Sequence, residues 1–258
     1  NRNIILNRLT AMLTVVTTPS IALERCRVVT NEMADVAAAT LRDAAAALQN
    51  YTPELAQAVR EGESKTDHYE DILGTYLVKL SALKISENDS SEAAMLLKAL
   101  SDFERIGDHA LNLVESAEEL KSKNLALSDA ARHELTVLLR AVDEIVNMTF
   151  QAFRDDDLEK AYRVEPLEQV IDDLKEKMRI HHILRMQQGS CSIESGFVWS
   201  DLLTALERVG DHCSNIAGCI IDLHHHNMNT HEAIRSARME NENFDDEYKA
   251  YVVKYSLK

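Results

Sequence analysis

One nine-residue string occurs twice in this chain. It reads Glu104, Arg105, Gly107, Asp108, His109 and Asn112, then Glu207, Arg208, Gly210, Asp211, His212 and Asn215, each residue lying 103 positions after its counterpart. The flanks have diverged while these six positions have not, so the chain is an internal duplication and must fold as two like units carrying the same polar constellation.

Little in the sequence could build a sheet. Seven glycines and three prolines in 258 residues, against long stretches of Ala, Leu, Glu and Lys, leave few of the tight turns that many strands need. The hydrophobic share of 45% suffices for a core, and no run is long and apolar enough to cross a bilayer. A formal net charge of -15, with no basic cluster to offset it locally, repels phosphate backbones and argues against nucleic acid as a partner. Cations are the expected company. The four cysteines are scattered without Cys-x-x-Cys spacing and read as buried or half-buried thiols of a reducing compartment. The chain opens at Asn1 without an initiator Met and with no signal peptide, which suggests an excised fragment or a processed product.

Apolar periodicity predicts three helices in each half, over about 21–48, 53–83 and 92–120, then 129–153, 158–188 and 196–223. Thr52 and Pro53 supply an N-cap and a first helical residue. The polar run 86–91 is expected to break the chain between helices, and Pro166 to kink the fifth helix near its start. The predicted architecture is all-α: two tandem three-helix bundles, 19–125 and 126–227, with an N-terminal arm (1–18) and a C-terminal tail (228–258) whose Phe244, Tyr248, Tyr251 and Tyr255 could dock as a short helix.

On a helical wheel, Glu104, Arg105, Asp108, Asn112 and Glu115 share an arc of roughly 100 degrees, while Leu96, Phe103, Ile106, Ala110, Leu113 and Val114 occupy the other side. Glu207, Arg208, Asp211 and Asn215 repeat the stripe. Two carboxylates one turn apart repel unless a cation sits between them. The same Glu-x-x-x-Asp spacing recurs on the second helix of each half, as Glu63 with Asp67 and Glu168 with Asp172. About seven acid pairs at this spacing would arise by chance in such a chain, so a single pair means only a solvated face; symmetric placement of four is the signal. If the second and third helices of each half pack antiparallel, two pairs converge into an oxygen-rich patch suited to hard cations. Arg105 and Arg208 read as salt-bridge partners that orient a carboxylate, with Asn112 and Asn215 in support. His109 and His212 read as helix-packing or surface residues, and His224 to His226 as a surface run. Gly107 and Gly210 inside helices imply close approach of a neighbour.

With these duplicated strings, paired Glu-x-x-x-Asp elements and two three-helix units, the chain resembles the PhoU family of phosphate-homeostasis regulators over about residues 20–227. The resemblance implies multinuclear metal clusters, iron or zinc first and magnesium or manganese also admitted, held by Glu63, Asp67, Glu104 and Asp108 and by Glu168, Asp172, Glu207 and Asp211. The flank from Leu6 to Glu24, with Thr18, Pro19 and Ser20 at its centre, looks like the segment joining the transmembrane part of a bacterial sodium/phosphate cotransporter to a C-terminal PhoU-like domain. That match implies a regulatory domain at the cytoplasmic face of the membrane, partnered by a transporter in the same polypeptide, or else a stand-alone PhoU-type regulator acting on phosphate-transport machinery; a homodimer is admitted. The competing class, a carboxylate-bridged di-metal oxidase, usually carries Glu-x-x-His on two helices. That pattern is absent from the sequence, and the chain reads as non-enzymatic.

Overall fold

In a computed structural model, residues 18–225 and 244–257 are described. They form eight helices and no strand: α1 (Pro19–Gln49), α2 (Pro53–Ser81), α3 (Glu87–Ser122), α4 (Asp129–Asp155), α5 (Leu158–Tyr162), α6 (Val164–Gln187), α7 (Ile193–His225) and α8 (Phe244–Lys254). Helices α1–α3 make the first repeat and α4–α7 the second. Most of the N-terminal arm (1–17), and residues 228–243 and 258 of the tail, lie outside the described residues.

Local chemistry sets the ends. Thr52 accepts from the Leu55 N–H with Pro53 next in line, as the sequence predicts. The polar run at 86–91 does not separate helices. Ser86 is the N-cap of α3, its hydroxyl accepting from the Asp89 N–H, and Glu87 and Asp89 stand in the first turn, where the helix dipole favours carboxylates. The helix therefore begins about five residues before the periodicity alone suggests. At α6 the C-terminus has Gly189 at φ +71, with the Ser190 N–H reaching the Arg185 carbonyl and the Gly189 N–H reaching Met186, a Schellman closure. Asn124 and Asp156 adopt the same left-handed position after α3 and α4.

Pro166 acts one turn upstream of itself. The break falls at Arg163, between α5 and α6, because a prolyl ring opposes helical continuation back to its i−4 carbonyl, that of Tyr162. Within the first turn of α6 the missing N–H has no helical partner to lose.

The two repeats share one core. Phe103 of α3 meets Phe150 and Phe153 of α4 edge to face, ring centroids 5.0 and 5.1 Å away. Leu96, Phe103, Ile106, Ala110, Leu113 and Val114, the expected apolar face, are all buried. The motif helices α3 and α7 lie antiparallel: Lys98 faces Asp222, Asp102 faces His212 and Asn215, and Ser116 shares a cleft with Asp201 and Thr204. The tail does dock. Tyr251 and Tyr255 are buried, Tyr248 donates to Asp173 of α6, and Lys254 pairs with Glu144 of α4 at 2.6 Å.

Candidate functional site

The first motif copy sits on the α2–α3 face. Gly107 lets the helices close, since a Cβ there would lie 2.5 Å from Thr66 Oγ1. Glu63 of α2 thereby comes within electrostatic reach of Asp108, with Asp67 of the same helix beside it. Burial first, then the charges of Asp108 and Asp67, raise the Glu63 carboxyl above its usual range. Burial, followed by the Asp108 charge, pushes Glu104 up to about 7 against the opposing pull of Arg105; a hydrogen bond with Asp108 and the charge of Glu70 add to the rise. The four expected carboxylates of this copy thus form one mutually repelling group. Asp67 is its most solvated member, with 64% of its side chain exposed.

The arginines do what the sequence suggests. Arg105 reaches Asp108 at 3.1 Å and Glu104 at 3.7 Å, and Arg208 reaches Asp211 at 3.3 Å and Glu207 at 3.9 Å. Both guanidinium side chains are more than half exposed, so each bridge orients a carboxylate more than it stabilises the fold.

The second copy lies on the α6–α7 face with one addition. Lys175 of α6 places Nζ 3.3 Å from Glu207 Oε1, with only 22% and 14% of the two side chains exposed. Glu168 and Asp172 are half-buried on the same helix, and Glu168 Cγ would stand 3.9 Å from a Cβ at Gly210. Gly210 itself is less crowded than Gly107, its nearest neighbour being Ile171 at 3.5 Å.

The asparagines and histidines belong to the seam between repeats. His109 and His212 stack with centroids 5.4 Å apart. His212 Nδ1 lies 2.9 Å from Asp102 Oδ1, and Asn215 Nδ2 donates to the same oxygen at 3.1 Å. Asn112 Nδ2 lies 3.4 Å from His109 Nδ1. Burial, then the neighbouring His212, lowers His109 to about 4, so it is a neutral packing imidazole at ordinary pH. His224 and His225 end α7 against Asp156 and Tyr162, and His226 lies outside the described residues. Three cysteines are buried and Cys191 is half-buried; all four are free thiols.

Sequence reasoning overlooked Asp102, Glu70 and Lys175. The duplication itself carried the signal. The shift of 103 sets Asp102 against Ala205, and the shift of 105 that carries Glu63 to Glu168 carries Glu70 to Lys175.

The donor chemistry of the first copy fits a multivalent cation: oxygen donors only, concentrated enough that burial and repulsion hold two protons on longer than usual. Among the described residues no set of three or more Asp, Glu, His or Cys side chains is closed around one ion position, and a cation there would require side-chain rotation.

A PhoU-domain model matches residues 30–117 and 135–220, one match per repeat. A relative from Thermotoga maritima, phosphate-specific transport system accessory protein PhoU homolog 1, is 27% identical over 190 residues, 70% of this chain and 78% of its own length. The phosphate-specific transport system accessory protein PhoU of Serratia marcescens is 28% identical over 200 residues, 75% and 79% of the two chains. The crystal structure of PhoU from Pseudomonas aeruginosa superposes with a TM-score of 0.75 at 25% identity, covering 79% of this chain and 97% of that one. The family model covers both repeats, the helical bundle superposes on that of a solved PhoU structure, and the chain belongs to the PhoU family.

Proposed function

We propose that this chain is a metal-binding PhoU-type regulator of phosphate uptake that acts on phosphate-transport machinery at the cytoplasmic side of the membrane. It is a regulatory accessory protein and not an enzyme. The observation that carries the reading is the pair of acidic motif copies, each displayed outward on its own PhoU-domain repeat. An oxidase would turn such carboxylates into the bundle interior.

Of the two settings weighed from the sequence, the stand-alone accessory regulator has the better support. The chain spans about four fifths of relatives named as transport accessory proteins. Attachment to a sodium/phosphate cotransporter rests on the flank at 6–24, most of which lies outside the described residues.

In this reading Glu63, Asp67, Glu104 and Asp108 hold the cation, and Arg105 keeps Asp108 turned toward it. A bound ion supplies positive charge that relieves the repulsion within the group. Two measurements test the function together. Phosphate uptake by cells lacking the chain should continue unrestrained at high external phosphate and regain restraint when the chain is restored. Unchanged uptake on deletion would overturn the regulatory role, and tag-free protein that takes up no iron, zinc, manganese or magnesium would remove its metal component.

A further inference from the structure

The two motif copies came from one ancestor, yet they present different charge to a ligand. In the first copy, five carboxylates (Glu63, Asp67, Glu70, Glu104, Asp108) face one guanidinium, Arg105, a formal balance of −4. In the second, four carboxylates (Glu168, Asp172, Glu207, Asp211) face Arg208 and the ammonium of Lys175, a formal balance of −2. The arginines sit alike in both copies, so they do not distinguish them. The difference is the one exchange at equivalent positions, Glu70 against Lys175.

Lys175 is also well placed to matter. Its Nζ is 3.3 Å from Glu207 Oε1 in a sheltered pair, and Glu207 is the counterpart of Glu104, which in the first copy has no ammonium beside it. A multivalent cation ligated by Glu207 would stand within a few ångströms of that ammonium, where like charges repel strongly and partial burial weakens the screening. To load, the second copy must expel its own lysine.

We propose that the duplicated sites have divided: the first copy is the one that takes a multivalent metal ion, and in the second Lys175 is a built-in counter-ion that replaces it. This rests on the metal-binding reading proposed above.

The test is equilibrium dialysis of tag-free full chain against Fe2+ under anaerobic conditions and, separately, Zn2+, with bound metal counted per chain and helicity checked for every variant. Asp108→Asn should bring bound metal to background. Lys175→Glu, which restores the residue type of Glu70, should add a second metal population of similar size, and adding Asp211→Asn should abolish that gain. Should Lys175→Glu fold poorly, Lys175→Met removes the ammonium without adding charge and should give a smaller gain in the same direction, while Glu70→Lys should reduce loading of the first copy several-fold. An Asp108→Asn chain that keeps about half of its metal, or a folded Lys175→Glu chain with no gain, overturns the division while leaving metal binding in place. An unmodified chain that binds neither of these metals, nor manganese or magnesium in the same dialysis, overturns the metal-binding reading and this proposal with it.

Discussion

His109 and His212 are the same residue of the two copies and stack on each other across the α3–α7 seam, yet only His212 has a carboxylate, Asp102, within hydrogen-bonding distance. The duplication would place an acid opposite His109 as well, but that position holds Ala205. A symmetric pair of rings thus sits in an asymmetric field, and the seam is anchored from one side. Asp102→Ala would leave the His212 and Asn215 donors without their acceptor in a partly buried contact, at a cost of about 1–3 kcal/mol. Urea unfolding should show that loss, with metal content unchanged because the acidic faces lie elsewhere.

The ring of the pair that lacks a carboxylate partner gives a pH dependence. His109 is lowered from 6.5 to about 4 by burial and by His212. Between those values the unfolded chain binds the proton and the folded chain does not, so this residue makes stability fall as pH drops from about 6.5 toward 4 and contributes nothing above that window. His109→Gln should flatten that part of the stability curve measured by urea unfolding at several pH values. A slope unchanged in the variant would show that other groups govern it.

Glu104 works in the opposite direction. Its carboxyl is raised from 4.5 to about 7, chiefly by burial and then by Asp108. As pH rises through that window the unfolded chain loses the proton first, so the folded state is destabilised relative to acid conditions. In the metal-free protein Glu104→Gln should therefore become more favourable relative to the unmodified chain as pH increases from 4.5 to 7.5. Adding metal should reverse the order, because the unmodified site gains a ligand that the variant binds less well. Melting curves at the two pH values, with chelator and with metal, read both effects.

These residues also show how far sequence alone could go. Five of the six expected helices and the apolar face of α3 were legible because period is a property of single segments, whereas the helix expected over 158–188 is divided at Arg163 into α5 and α6. The start of α3 was not, since Ser86 to Ser91 has loop composition until Ser86 is seen to cap the helix those residues begin. Glu63, Asp67, Glu104 and Asp108 could be grouped from spacing and symmetry. Lys175, Glu70 and Asp102 could not be recognised in the same way, because their importance lies in where the copies differ, and a motif search rewards only where they agree. Asn112 shares a helical arc with Glu104, but the wheel does not reveal that α7 lies against that edge, where Asn112 shares a cleft with Asp201, Thr204 and Ala205.

The docked tail is held by three tyrosines and a few surface pairs. Tyr255, just past α8, is 3% exposed and approaches Glu144 and the Arg140 carbonyl, while α8 itself packs on α6, with Tyr248 donating to Asp173 and Tyr251 buried. An 11-residue helix is marginal without such docking. Tyr255→Ala should release α8 locally, raising amide exchange over Phe244–Lys254 by an order of magnitude or more while the exchange of α3 and α7 stays unchanged. Equal acceleration throughout would mean that the tail is part of the cooperative core.

Gly107 and Gly210 offer the sharpest contrast between the copies, because the same substitution meets different neighbours. A Cβ at Gly107 would fall 2.5 Å from Thr66 Oγ1 and 3.4 Å from Thr66 Cβ, and Thr66 is fully buried with its hydroxyl committed to the Glu63 carbonyl. To admit it, the threonine must rotate away from that bond or α2 must move off α3. Overpacking of this kind costs about 1–3 kcal/mol, against a helix-propensity gain of about 1 kcal/mol from replacing glycine with alanine. At Gly210 the added methyl meets Ile171 at 3.5 Å, ordinary contact, so the propensity gain stands almost alone. Gly107→Ala should therefore lower the urea midpoint and, by parting α2 from α3, reduce metal uptake at the first copy. Gly210→Ala should leave the midpoint unchanged or raise it. Equal effects at the two glycines would mean that Thr66 yields freely and that the close approach of α2 to α3 does not depend on Gly107.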